Sequence, residues 1–239
     1  MIPKVIHYCW FGRSEYSKVT KKCISSWKEH CADYEIKEWN EDNFDVQSNI
    51  YIKQAYEAKK YAFVSDYARL LILYTCGGIY MDTDVELVRS LDEFLNQKAF
   101  LGFELFDAVQ TSIMAGEQYF HLFEEFLKYY KDKQFVKPDG SFDTTTNVEI
   151  ITNILRLYGL KLNGTFQIIS GLVLYPQDYF CPFDNSTGML RKTSNTAAIH
   201  WFQKSWMSPL VKMRLAITRP IHRVFGVNCF DWLKKIINR

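Results

Sequence analysis

Apolar positions recur along this chain with two periods, and each change of period marks an element. Lys4 to Trp10 is an apolar run closed by Gly12 and reads as a buried strand. From Val19 to His30 the apolar residues Cys23, Ile24 and Trp27 fall on one helical face. Tyr34 to Trp39 alternates as a second strand, and Asn40-Glu41-Asp42-Asn43 follows as a turn. Strand, helix, strand at the outset predicts a parallel α/β sheet. Over Ala62 to Tyr74, the residues Tyr67, Leu70, Leu71 and Tyr74 keep helical spacing, while Asp66 and Arg69, three apart, share a neighbouring stripe. Gly77-Gly78 ends that helix, because glycine takes the left-handed cap freely. The short apolar strand Ile79-Tyr80-Met81 then runs into Asp82-Thr83-Asp84.

Further on, the pattern predicts a strand near Phe100 to Phe103 and a helix over Gln118 to Tyr130. The stripe Tyr119, Phe120, Phe123, Phe126 and Tyr130 on that helix reads as core. Lys131 to Thr146 is polar and reads as a long loop that could close as a lid. A helix over Asn147 to Tyr158, a strand over Phe166 to Tyr175 and an apolar run Ala197-Ala198-Ile199 before His200-Trp201 complete the series. Neither an internal repeat nor a low-complexity tract interrupts it.

Composition narrows the classes. Of 239 residues 48% are hydrophobic and 23% charged, which excludes a disordered chain and suits one α/β domain. Six Trp, 15 Tyr and 18 Phe supply a large core and rings on which sugars or bases stack. A net charge of +2 argues against a nucleic-acid binder that neutralises many phosphates. The six cysteines are scattered without a C-x-x-C pair and read as reduced thiols of a cytoplasmic protein. The opening residues lack the order of a signal peptide, and no apolar run reaches the length of a spanning helix.

Charge is uneven, however. Residues 210–239 hold seven Lys and Arg against Asp231, a net +6, leaving −4 for the rest. We therefore divide the chain into a main domain, 1–209, and a basic amphipathic tail, 210–239. Ser208-Pro209 is an N-cap followed by an N1 proline, and Asn228 caps a second helical pattern with Phe230, Leu233, Ile236 and Ile237 on one face. Such a tail fits peripheral contact with an anionic membrane, or packing on protein.

The chemistry concentrates at Asp82-x-Asp84. Two carboxylates beyond the carboxyl end of a strand lie where open α/β sheets bind ligands. Spaced two apart, both can reach one Mg²⁺ or Mn²⁺, ions that favour oxygen ligands and phosphates. An exposed acidic turn would show the same spacing. Arg69 offers a planar donor fork for phosphate or sugar hydroxyls, or else a structural ion pair with Asp66. Trp10 and His200 each fit a core position as well as a site.

The order Ser65-Asp66-Tyr67-Ala68-Arg69, Gly77-Gly78-Ile79-Tyr80-Met81-Asp82-Thr83-Asp84 resembles glycosyltransferases of the family-32 type. Those are the D-x-D sugar-binding enzymes of capsular and O-antigen polysaccharide synthesis and the yeast mannosyltransferases. Ile2 to Gly12, Ser26-Trp27-Lys28, His200-Trp201 and Ser205-Trp206 are similar to further motifs of that family. The large glucosylating bacterial toxins resemble the chain more distantly. The resemblance implies a GT-A fold and a metal-dependent, retaining transfer of a hexose from a nucleotide sugar, with UDP favoured over GDP. It implies a saccharide acceptor, lipid-linked in surface polysaccharide assembly, met at the inner face of the cytoplasmic membrane. It carries Trp10 and Asn40 over as binding the nucleotide, and Asp66 and Arg69 as binding the donor sugar and its phosphate. Tyr80 and Asp82 would lie near the donor, and Ser205 and Trp206 would close over the diphosphate. Asp82, Asp84 and His200 would hold the metal, with Asp66, Arg69, Asp82 and Asp84 as the catalytic set. Glu104, Asp107 and Gln110, after the strand near Phe103, would be further neighbours of the anomeric carbon. A haloacid-dehalogenase-like phosphatase shares the strand followed by D-x-D, but leaves Asp66, Arg69 and Trp10 idle. A sugar-binding protein without catalysis would not need the metal pair.

Overall fold

A computed structural model describes residues 1–105, 107–203, 209–226 and 229. The predicted opening is present: β1 (Val5–Cys9), α1 (Lys18–His30) and β2 (Glu35–Trp39). The side chain of Ser17 caps α1 by accepting from the Thr20 N–H. Next come α2 (Ile50–Glu57), α3 (Tyr61–Cys76), β3 (Gly78–Met81), β4 (Val85–Leu87), β5 (Ala99–Leu105), β6 (Ala108–Val109) and β7 (Ile113–Gly116). The chain continues through α4 (His121–Lys128), α5 (Asn147–Leu157), β8 (Gln167–Ile169), β9 (Leu172–Tyr175) and α6 (Gln177–Phe180). It ends in β10 (Phe183–Asp184), β11 (Met189–Leu190), β12 (Ala198–His200) and α7 (Pro209–Phe225).

The central sheet has the order β2-β1-β3-β7-β5-β9-β8, with β6 on β5. Its β2-β1-β3 part is parallel, as is the β5-β9 pair, while β7 runs antiparallel between β3 and β5. Alternation along the strands divides the core in two. Tyr80, Leu101 and Phe103 face one layer with α2, α3, α4 and α5; Ile79, Met81 and Phe100 face the other with α1 and α6. Two small ribbons, β4·β12 and β10·β11, stand apart from the sheet.

Two expectations change. The stretch Phe166 to Tyr175 is a hairpin, because Ser170 and Gly171 both take positive φ (49° and 84°) and form the tight turn between β8 and β9. The helix predicted from Gln118 begins at His121, since Tyr119 has φ 60° and turns the chain outward. Tyr119 is accordingly exposed, whereas Phe120, Phe123, Phe126 and Tyr130 are core. The amphipathic pattern after Asn228 lies outside the described residues, apart from residue 229.

Candidate active site

Because β1, β2 and β3 are parallel, their carboxyl ends share one edge of the sheet. Trp10, Asn40 and Asp82 are the residues that follow those three ends. The start of β7 lies at the same edge, with Ile113 opposite Met81, so residues 110–112 join them.

Arg69 is the buried centre of this edge. Its Nη2 lies 3.0 Å from Asp66 and 3.2 Å from Asp82. Its Nε donates to the Ser65 carbonyl, and Nη1 donates to the Thr111 carbonyl at 2.6 Å and to Asp82 at 3.5 Å. The guanidinium stacks 4.6 Å from the centre of the Tyr80 ring, and the Tyr80 hydroxyl donates to Asp82 at 3.0 Å. The donor fork is thus spent on protein, fixing the two carboxylates and leaving both partly exposed. Burial pushes the Asp66 carboxyl up to about 6, against the pull of Arg69. Burial also raises Asp82, again against Arg69, and the neighbouring Asp84 charge adds to the rise.

Asp84 directly precedes β4, whose antiparallel partner β12 brings His200 opposite Val85. The His200 Nε2 lies 3.4 Å from Asp84, and the Gln203 N–H donates to the other oxygen of Asp84 at 2.7 Å. Burial would raise Asp84, but His200 and these hydrogen bonds outweigh it and hold the carboxyl below its usual range. Burial disfavours the imidazolium of His200, yet Asp84 and the neighbouring Cys181 hold its pKa well above the ordinary value. Ligand atoms of Asp82, Asp84 and His200 lie within 4.8 Å of one another.

Beyond β1 and β2, a cavity of about 510 Å³ is lined by Trp10, Arg13, Tyr16, Glu38 and Asn40 among others. Trp10 stands edge-on to Tyr16 at 4.8 Å, its indole N–H bonded to the Ser14 carbonyl. Tyr8, Tyr16 and Asn40 all donate to Glu38. Burial favours the neutral form of Glu38, and those three bonds override it.

A profile described as a glycosyltransferase sugar-binding region containing the DXD motif matches residues 17–101. A protein of Acanthamoeba polyphaga mimivirus, named as uncharacterized glycosyltransferase L373, is 32% identical over 200 residues, which are 77% of this chain and 78% of that protein. The chain belongs to the DXD glycosyltransferases. Inositol phosphoceramide mannosyltransferase 3 of Schizosaccharomyces pombe is 31% identical over 108 residues, 42% of this chain and 29% of its own. Among solved structures, the PaToxG glycosyltransferase aligns at TM-score 0.48 and 18% identity, over 65% of this chain and 69% of its own. The galactosyltransferase LgtC, in complex with donor and acceptor sugar analogs, aligns at TM-score 0.46 and 14% identity, over 90% of this chain and 95% of its own.

In this glycosyltransferase the sequence-derived residues fall into two adjoining groups. Asp66, Arg69, Tyr80, Asp82, Asp84 and His200 form one cluster, and Trp10 and Asn40 line the cavity. Tyr80 is 1% exposed, so its contribution is to brace Asp82 and Arg69 from below. Ser205 and Trp206 lie outside the described residues. The Thr111 carbonyl, which receives Arg69, and the Ser112 carbonyl, which receives the Asp82 N–H, carry no sequence signal, because any residue offers a carbonyl. The same holds for the Gln203 N–H on Asp84. Asn147, which donates to the Asp66 carbonyl and accepts from Tyr130, was readable only as the start of a helix. Gln110 is buried, and its Nε2 has no partner among the described residues.

The cluster suits a divalent cation. Two carboxylates and an imidazole are a mixed oxygen and nitrogen set, and the His200 Nδ1 is buried without a hydrogen-bond partner among the described residues. No helix among the described residues is long and apolar enough to cross a membrane.

Proposed function

We propose that the chain transfers a hexose from a nucleotide sugar, UDP-linked, to a saccharide acceptor with retention at the anomeric carbon. The observation that carries this reading is the Asp66–Arg69–Asp82 ion-pair chain continuing into Asp84 and His200 beside the Trp10 cavity. Trp10 and Tyr16 offer ring faces to a base, and Asn40 and Arg13 offer polar contacts around it. The outer edges of Asp66 and Asp82 accept from sugar or ribose hydroxyls, held at fixed angles by Arg69. Asp82, Asp84 and His200 would hold Mn²⁺ or Mg²⁺, which when bound supplies charge neutralisation for the departing diphosphate. Retention rests on the family resemblance, as does a lipid-linked acceptor of surface polysaccharide assembly on the cytoplasmic side.

A donor screen tests the reading. UDP- and GDP-sugars are offered to the purified protein with Mn²⁺, with EDTA, and in the Asp84→Asn variant. Saturable hydrolysis or transfer from one donor, lost with EDTA and reduced at least about a hundredfold in Asp84→Asn, is expected. A folded protein that binds no nucleotide sugar in the presence of metal overturns it.

A further inference from the structure

From Asn185 to Arg239 the chain holds ten Lys and Arg and a single acid, Asp231, while residues 1–184 carry a net charge of −7. Such separation on a chain of net +2 makes that segment strongly basic. Outside the candidate site, the described elements of that segment are β11, which pairs with β10 as a ribbon, and α7. Arg219 donates to the Asn185 carbonyl and side chain at 2.9 and 2.7 Å, and its guanidinium lies 5.7 Å from the Phe183 ring. Arg223 donates to the Gly188 carbonyl at 3.2 Å. These contacts orient the helix, turning one side of α7 to the ribbon and the other outward.

The outward side is apolar. Met213, Ile217 and Val224 recur at helical spacing on one stripe, with Phe225 beside them, and all four are between 57% and 73% exposed. Lys212 and Arg214 flank Met213 in sequence. On the ribbon that receives the arginines, Met189 and Leu190 are exposed and lead directly into exposed Arg191 and Lys192. Exposed apolar side chains interleaved with cations, and no carboxylate for 46 residues after Asp184, fit a surface that is apolar beneath and anionic on top. A protein partner would need an acidic rim around an apolar groove; a bilayer bearing anionic headgroups presents both over any area.

We propose that α7 and the β10·β11 ribbon dock the protein on an anionic lipid bilayer, with Met213, Ile217, Val224 and Phe225 entering the interface and the exposed Arg191 and Lys192 meeting the headgroups. The chain leaves the Asp84 cluster at Gln203 and enters α7 six residues later, at Pro209. A docked α7 therefore tethers the metal-binding edge of the sheet close to the bilayer surface, where a lipid-borne acceptor is confined. Docking is independent of the donor chemistry, so each can fail without the other.

Co-flotation of the full chain with vesicles separates the outcomes. Vesicles of phosphatidylcholine alone are compared with vesicles containing about one-third phosphatidylglycerol, at about 0.1 M and about 1 M salt. Wild type is expected to partition at least about tenfold better onto the anionic vesicles, and to lose most of that advantage at high salt. Ile217→Asp with Val224→Asp is expected to reduce partitioning at least about tenfold, with donor hydrolysis and melting temperature unchanged. Arg191→Glu with Lys192→Glu, remote from the stripe, is expected to weaken it by a smaller factor. Equal partitioning on both vesicle types overturns the proposal, as does wild-type affinity in the Ile217→Asp, Val224→Asp protein. A wild-type dimer that the same double substitution converts to a monomer, with no vesicle binding in either, assigns the stripe to a second copy and also overturns it.

Discussion

Trp39 donates its indole N–H to Nδ1 of His7, and that bond decides which nitrogen of the histidine carries the proton. With Nδ1 accepting, Nε2 must be the donor, and it meets the Gly77 carbonyl at 3.0 Å. Both nitrogens are engaged while the ring is neutral, so a second proton has to displace the Trp39 bond inside the core. Burial, with a smaller push from Lys37, lowers the pKa of His7 from 6.5 to about 4. Between those two pH values the unfolded chain binds the proton and the folded chain does not, so stability is complete above pH 6.5 and declines toward pH 4. At about 1.4 kcal/mol per unit the loss is about 3 kcal/mol, read as a falling urea midpoint from pH 7 to pH 4.5. His7→Gln is expected to flatten that slope; an unchanged slope would assign it to other groups. His7 lies within the apolar run of β1, but its partners come from β2 and from the end of α3, which no local pattern shows. Asp66 and Arg69 were more legible, because three residues along a helix is a contact in itself.

At the scale of elements, Gly77 and Gly78 do more than end α3. Gly77 has φ 66°, and Gly78 has φ 96° where β3 begins beside β1. A Cβ on Gly78 would meet the Val5 carbonyl oxygen at 2.8 Å and the His7 Nε2 at 2.9 Å. Gly78→Ala must therefore strain the backbone and push β3 away from β1, which is the pairing that brings Asp82 to the edge beside Trp10. Destabilisation of more than about 1 kcal/mol is expected from chemical denaturation, with weaker donor binding under conditions where the variant is folded. A variant as stable as wild type would show that the β1–β3 spacing tolerates a methyl group. Elements of this kind were legible where one local signal suffices: β1, α1, β2, α3 and β3 follow from periodicity and glycine. Contacts between distant segments were not. The β4·β12 ribbon joins residues more than 100 positions apart through three residues on each side, too short for any pattern. The short α2 and the antiparallel insertion of β7 escaped for the same reason.

Across the whole molecule, the acidic cluster is a joint. Asp82 belongs to the end of the central sheet, Asp84 to the start of β4, and His200 to the end of β12, while Gln203 grips Asp84 from beyond. Asp82 and Asp84 repel one another, Arg69 answering the first and His200 the second. A divalent cation bound by all three residues would relieve that repulsion and cross-link the sheet to the ribbon, so it must favour the folded state over the unfolded one. At a free concentration about 100 times its dissociation constant the gain is about 2.7 kcal/mol. A chain of this size gains about 2–4 °C in melting temperature per kcal/mol, so Mn²⁺ is expected to raise the transition by about 5–10 °C relative to EDTA. Asp84→Asn removes one of the three ligands along with half of the like-charge pair. Its melting temperature in EDTA is expected to fall below that of wild type, because the buried His200 loses its charged partner, and its response to Mn²⁺ to shrink to a small fraction. Calorimetry of both proteins, each with and without metal, separates the two effects. A wild-type transition indifferent to millimolar Mn²⁺ would mean that the three side chains serve one another rather than a cation.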